Sequence, residues 1–143
     1  MADSVQELKQ ALNISGDAMV DKPDGSVRLV GSKCSACGDW IFPPTPVCPE
    51  CMSESLERRE LSEIGCLYSW SVVRIAPKNW KTPFIAGYVD FPEKVRVFAH
   101  MVDIDPECLS FDMKLRVCKA VVGQDTDGTQ IESYSFVPVE GRN

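Results

Sequence analysis

The stretch CSACGDWIFPPTPVCPEC, from Cys34 to Cys51, restricts this chain more than any other. It holds two Cys-x-x-Cys pairs with ten residues between them. A Cys-x-x-Cys turn brings two sulfurs toward one point. Two such turns joined by a short two-stranded ribbon supply four soft donors, the number that a tetrahedral metal ion takes. Gly38 follows the first pair, and glycine enters the positive-φ backbone that such a turn can require. Pro49 stiffens the second pair. The spacing predicts a closed tetrathiolate site made by Cys34, Cys37, Cys48 and Cys51. Catalytic zinc keeps a position open for water, and four thiolates leave none, so the expected ion is a structural zinc. Iron accepts the same ligand set, and an iron-loaded site would make the chain an electron carrier.

The other bulk properties narrow the setting. The 143 residues carry a net charge of −6, with a pI of about 4.8. A nucleic-acid binder ordinarily shows a basic face, so general binding of nucleic acid is not expected. No apolar run approaches the roughly 20 residues that span a membrane. The opening MADSVQELKQAL lacks the cationic start and apolar centre of a signal peptide. A cytoplasmic, reducing setting follows, in which clustered cysteines are metal ligands rather than disulfides.

Along the chain, SVQELKQALN reads as a short helix. Ser4 caps it, Glu7 completes a capping box, and Val5, Leu8, Ala11 and Leu12 form one apolar face. A helix this short needs a surface to pack on, in its own domain or on a partner subunit. ISGDAMVDKPDGSV reads as a loop, and SVRLVGSKC leads into the first cysteine pair. DWIF suits a short return strand, PPTP cannot continue a central strand, and SESLERRE reads as a polar connector. From Gly65 the texture changes. LYSWSVVRIA, FIAGYVDF, VRVFAHMV, KLRVCKAVV and TQIESYSFV are rich in Val, Ile, Phe and Tyr, with turn-like pieces between them. Five short strands without helical periodicity suggest a five-stranded, partly open barrel of the OB type, with a small sandwich as the alternative. The chain is therefore expected to be mainly β. Its expected divisions are an N-terminal helix and linker over 1–25, a zinc ribbon over 26–60 and a barrel domain over 61–143.

The residues outside the cysteine clip offer little catalytic chemistry. Cys66, Cys108 and Cys118 are scattered, and free cysteine is often a small buried hydrophobe. The one histidine, His100, lies on a strand. Asp90, Glu93, Asp103, Asp105 and Glu107 fall mostly in turns. There is no nucleophile elbow, Gly-rich phosphate loop or metal-binding His pair. No catalytic residue is assigned. RIAPKNWKTPFIAGY is different: it sets Arg74, Lys78 and Lys81 close to Trp80 and Phe84. Cations meet phosphates and an aromatic face stacks on a base, so this loop is the candidate site for an anion joined to a flat ring.

Taken in order, the helix, GSKCSACGDWIFPPTPVCPEC, GCLYSWSVVRIAP and PFIAGYVDFPEKVRVFAHMVD resemble the family in which a rubredoxin-like zinc ribbon precedes an OB-fold domain and which accompanies acyl-CoA enzymes. The resemblance spans nearly the whole chain, and the stretch between and around the cysteine pairs is its most specific part. It implies a non-catalytic partner of a thiolase or related condensing enzyme, with zinc in the ribbon and CoA as a shared ligand. Within the family the chain is similar to the small subunits of 2-benzoylsuccinyl-CoA thiolases of anaerobic toluene degradation. A single-stranded nucleic-acid-binding module and a rubredoxin-like electron carrier are the competing functions. Oligonucleotide binding and a visible iron spectrum, respectively, would distinguish them.

Overall fold

Burial on two paired strands shows how the C-terminal part closes. On strands Phe84–Asp90 and Arg96–Met101, Ile85, Val89, Val97 and Met101 are buried, while Tyr88, Arg96 and Phe98 face out. This is period-two burial with one face on a core. In the computed structural model, which describes residues 12–13, 16–76, 78, 80 and 82–139, those strands are β7 and β8. The others are β1 (Leu12–Asn13), β2 (Met19–Asp21), β3 (Val27–Cys34), β4 (Trp40–Ile41), β5 (Leu56–Glu60), β6 (Ile64–Val73), β9 (Lys114–Gln124) and β10 (Gln130–Pro138). Single 3-10 turns lie at Gly16–Ala18 and Pro106–Cys108.

Strands β6 to β10 form the five-stranded barrel. β7 pairs with β6 and β8, β9 pairs with β6 and β10, and β10 closes the ring beside β8. The closing contact is parallel and short, covering only Ser135↔His100 and Phe136↔Met101. The barrel is thus partly open between β8 and β10. The curvature requires a glycine at position 87. A Cβ there would fall on the Ser69 carbonyl oxygen and lie 2.8 Å from the Met101 terminal methyl carbon.

The smaller sheet is centred on β3, with β2, β4 and β5 all antiparallel to it. Its buried residues Met19, Val27 and Leu29, with Leu61 just after β5, join Leu67, Val89, Leu115, Val117 and Phe136 of the barrel in one core. Trp40 and Phe42 pack against that core, and the Phe42 ring meets Tyr134 edge-on at 5.6 Å. Three consecutive residues fix the junction between the sheets. The Leu61 amide donates to the Leu29 carbonyl at 2.8 Å. The Ser62 hydroxyl donates to Glu93 at 2.8 Å. Glu63 accepts Arg28 of β3 at 3.4 Å and Arg116 of β9 at 2.7 Å.

Three parts differ from the sequence expectation. The expected N-terminal helix lies mostly outside the described residues, but its last two residues, Leu12 and Asn13, form β1, parallel to β10 at Ile131 and Glu132. An open strand edge supplies ladder partners that override the local helical pattern there. Among the described residues the only helical segments are the two 3-10 turns. The expected loop over 14–27 contains β2. The expected polar connector SESLERRE contains β5, which pairs with β3 from Val30↔Glu60 to Cys34↔Leu56. Exposure of Glu57 to Glu60 hides this strand from any pattern argument. Charged residues of this kind suit an edge strand, where they discourage further pairing.

Candidate functional site: a four-sulfur knot and an aromatic loop

The two Cys-x-x-Cys segments fold into near-identical knuckles. In the first, the Cys34 amide donates to the Asp39 carbonyl at 2.8 Å, and the Gly38 amide donates back to the Cys34 carbonyl at 2.9 Å. In the second, the Cys48 amide donates to the Ser53 carbonyl at 2.9 Å, and the Met52 amide donates to the Cys48 carbonyl at 2.8 Å. The residue after each pair has positive φ: 85° at Gly38 and 64° at Met52. Buried Ser32 ties the intervening loop down, donating to the Thr45 carbonyl at 3.2 Å and accepting its amide at 3.0 Å.

The knuckles face each other, and the sulfurs of Cys34, Cys37, Cys48 and Cys51 all lie within 4.8 Å of one another. Cys34 and Cys51 are 3.6 Å apart, and Cys37 and Cys48 are 3.7 Å apart. Zinc–sulfur bonds of about 2.3 Å imply tetrahedral edges of about 3.8 Å, so the spacing fits a tetrathiolate ion. Among the described residues this is the only group of three or more potential ligands drawn together. The electrostatics agree. The Cys37 amide, aimed at the Cys34 sulfur, brings that thiol down to about 6. The Asp39 amide acts in the same sense on Cys37, but local desolvation and the neighbouring sulfurs, Cys48 first, push that exposed thiol up to about 12. Four sulfurs this close cannot all ionise without a cation among them.

The cationic loop lies in the barrel, between β6 and β7. Arg74 and Lys78 are exposed, with no ion-pair partner among the described residues. Lys81 lies outside the described residues. Trp80 bridges to Gly123 on β9 and stands 6.0 Å from Phe84, ring centre to ring centre. His100, which residue spacing alone does not place here, joins this group. Its ring stacks on Phe84 at 4.2 Å and meets Trp80 at 5.5 Å, and burial holds its pKa below the usual value. Ala86↔His100 pairing in the β7–β8 register brings it there. This aromatic wall stands between two hollows. One, of about 320 Å³, is lined by Val72, Phe84, Ile85, His100 and Val122. The other, of about 190 Å³, is lined by Trp80, Phe98, His100 and Tyr134.

The remaining three cysteines lie outside this four-sulfur group. Burial, with Asp103 nearby, pushes the Cys118 thiol up to about 11, so it is protonated at neutral pH. Cys66 sits 3.8 Å from the Lys114 ammonium, and Cys108 is exposed. No helix among the described residues is long and apolar enough to cross a membrane.

Comparison with known proteins matches these two parts separately. Residues 26–57 match the family model described as ChsH2, rubredoxin-like zinc ribbon domain. Residues 58–119 match ChsH2, C-terminal OB-fold domain. The chain is 36% identical over 108 residues to benzoylsuccinyl-CoA thiolase subunit BbsA of Thauera aromatica, covering 76% of this chain and 74% of that protein. It is 31% identical over 116 residues to a DUF35 domain-containing scaffold protein of Methanocaldococcus jannaschii, covering 78% and 82%. Among solved structures, the Ltp2-ChsH2(DUF35) aldolase superposes with a TM-score of 0.63 at 27% identity, covering 78% of this chain and 84% of that one.

Proposed function

Because the chain belongs to the ChsH2 family, in which a rubredoxin-like zinc ribbon precedes an OB-fold domain, we propose that it is a non-catalytic accessory subunit of an acyl-CoA thiolase complex. The observation that carries this reading is the 36% identity to a thiolase subunit along three quarters of the chain. The identity to a scaffold protein agrees with it.

The proposed division of labour follows from the residues. Cys34, Cys37, Cys48 and Cys51 hold zinc. The ion supplies a cross-link that folds the ribbon, since four thiolates leave no position for a reactant. A larger thiolase-type subunit holds the catalytic residues, and the acyl thioester is of the benzoylsuccinyl-CoA kind. Arg74, Lys78 and Lys81 offer charge to the CoA phosphates, and Trp80 and Phe84 offer a flat surface to its adenine. The complex works in the cytoplasm.

The test is to express the chain with the thiolase-type subunit encoded beside its gene and assay thioester cleavage. The pair is expected to purify together and act, and the chain alone to be inactive. Carbon–carbon bond cleavage or formation in a CoA thioester by the purified chain alone would overturn the reading. Stacking on one aromatic is worth about 1–3 kcal/mol. Trp80→Ala and Lys81→Ala are therefore each expected to weaken CoA binding by the intact complex, by roughly 5- to 160-fold for the tryptophan. Unchanged titrations would remove the loop from the CoA site.

A further inference from the structure

To a reagent in solution the four sulfurs of the ribbon fall into two classes. Cys34 and Cys48 are 0% exposed, whereas Cys37 and Cys51 are exposed. Each exposed sulfur lies against a buried one on the opposite knuckle: Cys51 against Cys34 at 3.6 Å, and Cys37 against Cys48 at 3.7 Å. An accessible thiolate next to a second thiolate is the arrangement that converts oxidation into a disulfide rather than a dead-end acid.

We infer that the ribbon is a peroxide-sensitive modification site, oxidised at Cys37 and Cys51, which releases zinc by forming the disulfides Cys37–Cys48 and Cys34–Cys51. This inference rests on the zinc reading above. In each pair the exposed thiolate attacks one oxygen of hydrogen peroxide. The O–O bond breaks, hydroxide leaves, and the cysteine becomes a sulfenic acid. The buried thiolate then attacks the sulfenic sulfur. The S–O bond breaks, a second hydroxide leaves, and the S–S bond forms. Two thiolates lose two electrons, and one peroxide gains them. The first disulfide removes two of four donors, and the metal passes to solvent. Both disulfides cross from one knuckle to the other, so they take over the tie that the ion provided. The β3–β5 register beside Cys34 is kept, and a thiol reductant restores the metal-binding form.

The experiment uses the full-length, zinc-loaded chain. Metal analysis comes first, and a chain that purifies without zinc would remove the zinc reading itself. Hydrogen peroxide is then added to the wild type and to a variant carrying Cys66→Ser, Cys108→Ser and Cys118→Ser. Release is followed with a chromogenic zinc chelator, and disulfides are mapped by mass spectrometry. The expected result is full release of the bound zinc from both proteins, peptides joined as Cys37–Cys48 and Cys34–Cys51, and recovery of zinc binding after reduction. Zinc retained in the wild type after its exposed Cys108 is fully oxidised would overturn the inference. So would release accompanied by disulfides within a knuckle, or by sulfinic acid at Cys37 and Cys51. The wild-type measurement decides if the triple variant fails to fold.

Discussion

Met52 occupies the position in the second knuckle that Gly38 occupies in the first, and it holds a left-handed φ of 64° with its side chain 71% exposed. An L-residue there carries a steric cost of roughly 1–2 kcal/mol that glycine does not. Met52→Gly is therefore expected to stabilise the zinc-loaded chain, by about 0.5–1 kcal/mol after the added freedom of the unfolded backbone. Gly38→Ala is expected to destabilise it by about 1 kcal/mol. Urea unfolding of the two variants checks both signs, and a stabilising Gly38→Ala would contradict the shared knuckle geometry. The four ligand positions are legible in sequence because thiolate spacing has few other uses. The strain at Met52 is not, since nothing in composition marks a positive φ outside glycine. His100 is hidden for a different reason. It joins Phe84 only through the β7–β8 register, and register is a property of a pair of strands rather than of either one.

Among the elements, the barrel strands announce themselves and the ribbon strands do not. β7, β8 and β9 carry buried apolar residues in period two or in runs, the signal that sequence reading relies on, while β6 buries Leu67 and β10 buries Phe136 among half-buried neighbours. β5 reads LERRE and is a strand only because β3 pairs with it. β1 is held by the free edge of β10. Elements specified by a neighbour's unsatisfied backbone leave no pattern of their own. Within the barrel, the sharpest demand falls on β7. Adding a methyl group at Gly87 would force the β6 backbone at Ser69 away from its partner strand. Gly87→Ala is expected to cost about 1–3 kcal/mol, in line with other overpacked interiors. Thermal unfolding reads this directly. A variant as stable as the wild type would show that the β6–β7 pair can widen freely.

For the whole molecule, zinc and barrel are coupled through one core. Leu29 and Leu61 of the ribbon side are buried with Leu67, Leu115 and Phe136, and Trp40 and Phe42 lean on the same cluster. Stripping zinc with a strong chelator is therefore expected to lower a single unfolding transition of the entire chain, by more than ~10 °C given the size of structural-zinc contributions. Calorimetry distinguishes this from the alternative, in which the barrel melts unchanged after the ribbon has already come apart.

The seam at Leu61, Ser62 and Glu63 bears on any attempt to build chimeras from these parts. The boundary between the two matched domains, after residue 57, falls inside β5, and grafting residues 26–57 onto a foreign barrel would leave Arg28 without Glu63. It would also deprive β3 of its pairing with Arg58, Arg59 and Glu60. A transplant that preserves the angle between ribbon and barrel must carry both halves of that joint, which makes the seam, rather than either module, the unit of exchange.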